Sequence, residues 1–300
     1  MKHISDSIYE LKKERKAVIL AHYYQNPNVQ DIADFVGDSL DLSRKAAATD
    51  AAVIVFCGVR FMAETAKILS PDKRVLLPEI SAGCPMADQV SAEDVLSLRK
   101  AHPKAVVVCY VNTTAEVKAV CDICCTSSNV KKVIASLKEE EIIFLPDRNL
   151  GRYVSRFFPE KRFFLYQGQC PVHDQITVDD VKKARQLHSD ALLLVHPECR
   201  PEVIDLADFV GSTRQILDYA AASSNEAFII GTELGILHPL VSENPNKHFY
   251  PLKEDFVCQD MKRTTKEAVE QSLKTLQPEI ILDSKLASQA LGCLDRMLAL

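Results

Sequence analysis

Short apolar runs alternate with longer segments of helical pattern along the whole chain. In the first hundred residues the runs are 17–21, 51–59 and 75–77, and the helical segments are 29–48, 61–69 and 91–101. Runs as short and as apolar as 17–21 are typical of strands that are buried on both faces of a parallel sheet. The pattern predicts strand and helix in regular alternation, with a polar loop that begins at His22 after the first strand.

The same order of elements returns twice. A second pass has predicted strands at 105–110, 142–145 and 162–166, and a third pass begins at 191 and has further strands at 228–230 and 249–251. An amphipathic helix over residues 1–16 precedes the first pass, and a helical tail follows the third. We therefore predict three modules, residues 1–103, 104–189 and 190–300.

Chemically distinctive residues keep the same interval, which separates an internal repeat from coincidence. Cys84, Cys170 and Cys258 follow one another at intervals of 86 and 88 residues. A Ser or Thr followed three residues later by an acid is the signature of a helix start. One such pair comes after each cysteine: Ser91 with Asp94, Thr177 with Asp180, and Thr264 with Glu267.

Alternating strands and helices with short connections specify parallel sheets that are covered by helices and joined by right-handed crossovers. We predict an α/β fold of three similar αβα modules with short parallel sheets, arranged around a pseudo-threefold axis. Ligands bind at the carboxyl ends of the strands in such sheets, and every unusual loop here follows a strand. One central active site, shared by the three modules, is the expected arrangement.

Composition and charge narrow the partners to small molecules. The 300 residues are 47% hydrophobic and 26% charged, with a formal net charge of −5 and a pI near 5.9. This balance argues against nucleic acid or an anionic membrane as partner. No apolar stretch approaches the roughly 20 residues of a membrane helix, and the polar N-terminus is not a secretory signal. We expect a cytoplasmic protein whose ten cysteines are not a disulfide framework.

One loop cysteine from each module, Cys84, Cys170 and Cys258, suits a metal centre with three thiolate ligands. An iron–sulfur cluster bound in this way keeps one iron free of protein ligands, where it can act as a Lewis acid on substrate. Zinc is the alternative metal, although three thiolates lack the fourth ligand of a closed structural zinc site. The alternative without metal is that all three cysteines are packing residues.

The other cysteines have weaker patterns. Cys121-x-x-Cys124-Cys125 has the spacing of a redox or zinc motif but lacks a second pair, so neither role is favoured. Those interpreted as packing residues within apolar strands are Cys57 and Cys109, and those without a predicted role are Cys199 and Cys293.

Hydroxyl side chains also repeat in phase. Ser39, Ser127 and Ser212 follow one another at intervals of 88 and 85 residues, and Thr213 adjoins the last of them. Each alone is best interpreted as a helix N-cap. Three in phase favour an anionic ligand, phosphate or carboxylate, bound by hydroxyl and N–H groups at helix starts.

Polar side chains that can bind carboxylates and move protons follow the first strand of each module. A single His or Tyr at a strand end is usually only a satisfied polar residue, so the shared phase carries the argument. These residues are His22, Tyr24, Tyr110, Asn112, His196 and Glu198.

These residues lie within motifs that resemble the quinolinate synthases, the NadA-type enzymes of de novo NAD biosynthesis. The resemblance covers nearly the whole chain. It departs at Tyr23, where the family usually has Asn, so the first loop is expected to differ in shape. The motifs are His22-Tyr23-Tyr24-Gln25, Gly37-Asp38-Ser39-Leu40, Cys84-Pro85-Met86-Ala87, Tyr110-Val111-Asn112-Thr113-Thr114, Cys125-Thr126-Ser127-Ser128-Asn129, Pro146-Asp147-Arg148-Asn149-Leu150-Gly151, Cys170-Pro171-Val172-His173, Val195-His196-Pro197-Glu198-Cys199, Gly211-Ser212-Thr213, Gly231-Thr232-Glu233 and Cys258-x-x-Met261-Lys262.

The resemblance implies a [4Fe–4S] cluster and a condensation of iminoaspartate with dihydroxyacetone phosphate to quinolinate, with loss of phosphate and two waters. It also implies a functional link to an aspartate-oxidising enzyme that supplies iminoaspartate. Its implied residue roles are cluster ligation by Cys84, Cys170 and Cys258, substrate binding by His22, Ser39, Tyr110, Asn112, Ser127, Ser212 and Thr213, and proton transfer by Tyr24, His196 and Glu198.

Two other classes of function compete with this one. An iron–sulfur hydro-lyase of another small acid would share the open iron, and an assay for a pyridine product distinguishes it. A metal- or anion-binding module without catalysis would use the thiolates structurally, and it predicts a colourless protein without turnover.

Overall fold

The computed structural model describes residues 4–300, so the first three residues of the helix predicted over 1–16 lie outside the described part of the chain. Twelve strands in this part form three separate four-stranded parallel sheets. The strands are β1 (Ala17–His22), β2 (Phe35–Gly37), β3 (Val53–Cys57), β4 (Arg74–Leu76), β5 (Val106–Tyr110), β6 (Ile123–Cys125), β7 (Glu141–Leu145), β8 (Arg162–Leu165), β9 (Leu192–Val195), β10 (Phe209–Val210), β11 (Ala227–Gly231) and β12 (His248–Pro251).

Helices connect the strands and cover the sheets, as crossovers in parallel sheets require. Two single 3₁₀ turns, Ala87–Gln89 and Leu234–Ile236, lie among them. The α-helices are α1 (Ile4–Arg15), α2 (Pro27–Gln30), α3 (Ser39–Ala48), α4 (Arg60–Leu69), α5 (Ala92–Ala101), α6 (Ala115–Lys118), α7 (Val130–Ser136), α8 (Arg148–Ser155), α9 (Pro171–Asp174), α10 (Val178–Leu187), α11 (Pro201–Ile204), α12 (Thr213–Ala222), α13 (Leu237–Glu243), α14 (Gln259–Lys262), α15 (Lys266–Thr275) and α16 (Ser284–Leu298). None of these helices has both the length and the hydrophobicity that crossing a bilayer requires.

The three sheets share one strand order, which confirms the predicted repeat. The orders are β2-β1-β3-β4, β6-β5-β7-β8 and β10-β9-β11-β12. The central strands are apolar and buried along almost their whole length, as expected for strands that are covered on both faces. Their register brings the polar loops together, because Ala21 pairs with Cys57 and Val195 with Gly231 at the carboxyl ends.

The predicted helix over residues 29–48 is wrong in its first half, because an edge strand, β2, interrupts it. Strands β2, β6 and β10 have only two or three residues, too few to show a hydrophobic period, whereas the equally short β4 could be predicted from the apolar run 75–77. An aspartate directly precedes each of the strands β2, β6 and β10 and holds it against the first strand of its module. The carboxylates of Asp34, Asp122 and Asp208 each accept a hydrogen bond from a backbone N–H of that first strand, at 2.7 Å. An aspartate at the matching position therefore makes the same hydrogen bond in all three modules.

Two of the three predicted helix starts are confirmed in detail. Ser91 and Thr177 each form a reciprocal capping box with the acid three residues later. The third start is wrong by one residue, because Thr265 and not Thr264 caps α15.

The ten-residue helix that follows each cysteine loop packs against the next module. Helix α5 contacts α6, α10 contacts α11, and α15 contacts α1 and β3 of the first module. Val269 and Leu273 of α15 are fully buried in one hydrophobic cluster with Ile19 and Val55 of the first sheet. The chain thus closes on itself as a ring of three modules. The boundaries after residues 103 and 189 stay a prediction.

Candidate active site

One cavity lies at the carboxyl ends of the three sheets, where the loops of all modules meet. Twelve of the thirteen predicted site residues line it. The exception is Ser212, which is fully buried and caps α12. The lining residues are His22, Tyr24 and Ser39, then Cys84, Tyr110 and Asn112, then Ser127, Cys170 and His196, and finally Glu198, Thr213 and Cys258.

The three cavity cysteines occupy matched positions. Cys170 and Cys258 are the residues immediately before the short helices α9 and α14, and Cys84 precedes a 3₁₀ turn. Burial raises the pKa of Cys84 to about 12 and that of Cys258 to about 11, although backbone N–H groups of the following turn donate to each sulfur and oppose this rise. Such thiols are neutral until a metal ion displaces their protons.

Two buried acids hold the cysteine loops, and sequence reasoning missed both roles. Asp147 accepts hydrogen bonds from the N–H groups of Leu150 and Cys170, at 2.7 and 2.9 Å. Glu233 accepts from the N–H of Cys258 at 3.2 Å and forms an ion pair of 2.9 Å with Lys262. Both acids lie in motifs given above. The sequence signal that could have revealed their roles is an acid shortly after the third strand of modules 2 and 3.

Each module supplies a pair of side chains two residues apart at the end of its first strand. In two modules the first member is a histidine whose Nδ1 accepts a backbone hydrogen bond, His22 from Tyr24 N at 3.1 Å and His196 from Glu198 N at 3.3 Å. Each neutral ring therefore carries its proton on Nε2. Burial lowers the pKa of both histidines to about 3, so they are neutral hydrogen-bond donors at neutral pH.

The acids and phenols of the cavity have opposite electrostatic tendencies. Burial acts to raise the pKa of Glu198, but His196, His173 and Tyr110 hold it below its ordinary value, so this carboxylate is ionised. Burial and the charge of Glu198 raise the pKa of Tyr24 and of Tyr110 well above 10. The cavity thus holds an ionised proton acceptor beside neutral hydroxyl donors.

A continuous chain of hydrogen bonds joins Tyr24 to Glu198. The Tyr24 hydroxyl lies 2.7 Å from Oγ1 of Thr232, which lies 3.0 Å from Nε2 of His173. Nδ1 of His173 lies 3.0 Å from Oε2 of Glu198. Thr232 and His173 were not predicted as site residues, although both lie in motifs of the sequence. Alternating hydroxyl, imidazole and carboxylate groups can pass a proton in either direction.

Helix starts from two modules form the polar end of the cavity. Ser39 and Thr213 are the first residues of α3 and α12, and free N–H groups at helix starts favour anions. At α3 the carboxylate of Asp38 already accepts from the N–H groups of Leu40 and Asp41, at 3.0 Å each, so fewer N–H groups remain for a ligand there. The Ser128 hydroxyl donates to the carboxylate of Asp38, and its Oγ lies 2.8 Å from Oγ of Ser212, so it connects all three modules. Ser39, Ser127 and Thr213 line this cavity and Ser212 does not, and the binding of an anion by these hydroxyls stays a prediction.

Tyr23, the departure from the family pattern, does not line the cavity. It is 5% exposed, and its hydroxyl accepts a hydrogen bond from Arg214 at 3.4 Å. The substitution therefore affects the contact between modules 1 and 3 and not the chemistry of the cavity wall.

The donor set of the cavity fits an iron–sulfur cluster with an open position. Three thiols face it, and Oδ1 of Asn112 is buried without a hydrogen-bond partner among the described residues. Two compact groups could each hold a metal ion, with ligand atoms within 4.8 Å of one another: Cys170, His173 and Glu198 in the cavity, and the buried Cys109, Cys124 and Cys293 outside it.

Comparison with known proteins gives one consistent result. The family model described as "Quinolinate synthetase A protein" matches residues 6–299. A protein of Methanoregula boonei named quinolinate synthase is 54% identical over 297 residues, which cover 99% of this chain and 98% of that protein. Quinolinate synthases of Caldicellulosiruptor bescii and Thermodesulfovibrio yellowstonii are each 52% identical over 295 residues, 98% of this chain and 97% of theirs.

Proposed function

The chain belongs to the quinolinate synthase family, and we propose that it condenses iminoaspartate with dihydroxyacetone phosphate to quinolinate, with loss of phosphate and two waters. One observation carries the proposal: a single cavity is lined by one cysteine, one hydroxyl-bearing helix start or turn, and one pair of polar side chains from each module. A carboxylate, a phosphate and a carbonyl group can all find partners there.

In this proposal Cys84, Cys170 and Cys258 hold a [4Fe–4S] cluster whose fourth iron faces the substrate. When bound, such a cluster supplies a Lewis acid for a substrate oxygen. The matched turns that donate N–H groups to each sulfur support this assignment, because they stabilise thiolates. The buried group of Cys109, Cys124 and Cys293 is also positioned to bind metal, but it does not line the cavity, so a substrate could not reach it.

Proton transfer falls to Tyr24, Glu198 and His196. Glu198 is ionised and serves as the base in the isomerisation and dehydration steps, while the neutral Tyr24 hydroxyl serves as an acid. The chain through Thr232 and His173 returns a proton from Glu198 to Tyr24. Neutral His196 donates from Nε2 and holds a substrate oxygen.

Substrate anions bind at the polar end of the cavity. Thr213 and Ser39 offer hydroxyl and N–H groups at the starts of α12 and α3. Ser212 lies behind the cavity wall and supports anion binding indirectly, because its side chain fixes the start of α12. The remaining predicted contacts to carboxylate and carbonyl oxygens come from His22, Tyr110, Asn112 and Ser127.

The proposal includes an upstream partner and a location. We infer that an aspartate-oxidising enzyme supplies iminoaspartate, as membership of the family implies. All ten cysteines are free thiols, which suits the reducing cytoplasm.

The test is anaerobic purification of the wild type, of Cys84→Ala and of the control Cys57→Ala, followed by iron and sulfide quantitation and a visible spectrum. Cys57 is fully buried within β3, outside the cavity. We expect about four irons per chain and a brown absorption that Cys84→Ala loses and Cys57→Ala keeps. Formation of quinolinate from the two substrates then tests the reaction. A colourless wild type, or a cluster indifferent to Cys84, contradicts the proposal.

A further inference from the structure

Three sulfur atoms from distant parts of the chain meet on one face of the second sheet. Cys109 and Cys124 are register partners on β5 and β6, and α16, which packs on β6, carries Cys293. Their Sγ atoms lie 3.5 Å (Cys109 to Cys124), 3.6 Å (Cys109 to Cys293) and 3.1 Å (Cys124 to Cys293) apart. All three residues are at most 1% exposed, so this thiol group is separate from the substrate cavity.

Cys57 shows what an isolated buried cysteine looks like in this protein. Nothing but its apolar surroundings acts on it, and burial raises its pKa to about 12. Cys109 has different surroundings, because its sulfur lies 3.5 Å from the sulfur of Cys124 and 3.6 Å from that of Cys293. The thiol group is therefore a cluster of sulfurs in mutual contact and not a set of isolated packing residues.

A buried cation lies beside the thiol group. Lys118 of α6 is 0% exposed, and its charge acts on both Cys109 and Cys124. Its ammonium donates to the carbonyl of Thr113 and lies 5.8 Å from the ring centroid of Phe61. Within residues 4–300 no carboxylate pairs with it. An ammonium buried in this way is costly unless an anion compensates its charge.

We propose that Cys109, Cys124 and Cys293 bind one divalent zinc-class ion, with Cys121 as the fourth ligand, and that this ion fastens α16 to the second sheet. Zinc–thiolate bonds of about 2.3 Å in a tetrahedron place the sulfurs about 3.8 Å apart. Binding an ion would spread the three sulfurs by less than about 1 Å. Cys121 is 8% exposed, in the loop between α6 and β6; it acts on Cys109 but lies outside the compact group of three sulfurs, so this loop must shift to supply the fourth ligand.

The charges agree with this assignment. A divalent ion with three thiolates has a net charge of −1, which Lys118 balances. With Cys121 as a fourth thiolate the net charge becomes −2; Arg99 also acts on Cys121, although it already pairs with Asp122 at 2.7 Å. The spacing distinguishes this ion from an iron–sulfur cluster, because a cluster holds each thiolate on a different iron and separates the sulfurs further. Metal would enter before α16 docks, since binding is coupled to folding.

The test uses the full chain, purified anaerobically from cells supplied with zinc, and measures zinc and iron per chain by mass spectrometry. The variants are Cys293→Ser, which keeps the volume of the side chain, Cys84→Ala, and the control Cys57→Ala. We expect about one zinc per chain in the wild type, Cys84→Ala and Cys57→Ala, and a loss of zinc to background in Cys293→Ser with its iron retained. Zinc content is expected to depend on Cys293 and iron content on Cys84. Failure of this inference and failure of the proposed function would therefore give different results.

A second measurement avoids reliance on the folding of Cys293→Ser. Cobalt(II) added to the wild-type chain during refolding after zinc removal should give the intense sulfur-to-metal absorption of a tetrahedral thiolate site. The proposal is overturned if the wild type contains no zinc and binds no cobalt, if zinc is lost with Cys84, or if the three cysteines are recovered as a disulfide without metal.

Discussion

At the scale of single residues, Tyr24 joins two parts of the cavity. Its hydroxyl lies 2.9 Å from Oγ1 of Thr213 and 2.7 Å from Oγ1 of Thr232, and its ring lies edge-on to His22. One side chain of module 1 thereby touches the anion-binding end and the proton chain, both built largely from other modules. Removing one oxygen atom from it separates its chemical role from its packing role.

We expect Tyr24→Phe to fold normally and to lower kcat by about 10²- to 10⁴-fold, the usual contribution of a positioned acid or base. Its cluster content should equal that of the wild type, because no cysteine depends on this hydroxyl. The measurement is the rate of quinolinate formation under anaerobic conditions. Tyr250→Phe is the matched control, since that ring stacks on His188 outside the cavity. Full activity in Tyr24→Phe would remove this residue from the chemistry.

The buried histidines make stability depend on pH. His22 and His196 have a pKa of about 3 in the folded protein, against 6.5 for a free imidazole. Between these values the unfolded chain binds more protons, so stability increases with pH and is lost as the pH falls below about 6.5. Each imidazole changes the free energy of unfolding by up to about 1.4 kcal/mol per pH unit within this window.

We therefore expect His196→Gln to reduce the pH dependence of the unfolding free energy between pH 6.5 and 5. Urea unfolding of the full chain at several pH values measures this slope. His248→Gln is the control, because His248 is exposed. An unchanged slope in His196→Gln would mean that this histidine is not buried in its neutral form.

At the scale of elements, the backbone of the 3₁₀ turn Leu234–Ile236 lies in close contact with the loop that carries Tyr24. A Cβ atom on Gly235 would lie 2.5 Å from the carbonyl oxygen of Tyr23 and 2.7 Å from Cα of Tyr24. Nε2 of Gln30 donates to the carbonyls of Tyr23 and Gly235 and joins the two segments. Only a residue without a side chain permits this approach of two backbones.

We expect Gly235→Ala to lower the unfolding free energy by about 1–3 kcal/mol, as overpacking does, and to reduce activity because the Tyr24 loop must shift. Gly292→Ala is the matched control within α16, where the nearest atom to the new Cβ is Nη2 of Arg296 at 4.0 Å. That change should stabilise the helix by up to about 1 kcal/mol. Urea unfolding and kcat measure both effects, and equal behaviour of the two variants would contradict the close approach.

The elements that sequence could predict are those with a strong local signal. The central strands and the capped helices at Ser91 and Thr177 have such signals, and both are confirmed. The edge strands β2, β6 and β10 were not predicted, because two or three residues show no period and, unlike 75–77, these segments do not form apolar runs of their own; the hydrogen bonds that fix them come from another strand. Likewise the Cys109 and Cys293 sulfurs meet only through tertiary packing, so no spacing in the chain reveals their contact.

The residues of the site also divide into those that the sequence could predict and those that it could not. Residues that repeat in phase at strand ends could be predicted to share a cavity, and twelve of them do. Thr232, His173, Asp147 and Glu233 could not be assigned, because their roles depend on which neighbouring side chain or backbone N–H each one reaches. Ser212 was predicted to bind the ligand directly, and its position behind the cavity wall depends on the rotamer that capping requires.

At the scale of the whole molecule, the ring of modules makes the site and the fold interdependent. The first sheet is covered by α15, which comes from the end of the chain, and Val269 and Leu273 complete its core. The Glu233–Lys262 ion pair also reaches the first module, because Lys262 donates to the carbonyl of Tyr24 at 2.5 Å. No single module therefore contains a complete core or a complete site.

This arrangement predicts that residues 1–103 do not fold as an isolated fragment, although the sequence repeat marks them as a unit. Without α15 one face of their sheet exposes Ile19, Val55 and Leu76, which are fully buried in the intact chain. We expect the fragment to show no cooperative urea transition, whereas the full chain should lose its secondary structure and its cavity in one transition. Joining residues 264–280 to the fragment through a flexible linker should restore cooperativity, since it returns the helix that covers the sheet. A fragment 1–103 that unfolds cooperatively by itself would show that the modules are independent domains, and the coupling between ring closure and the shared site would then be wrong.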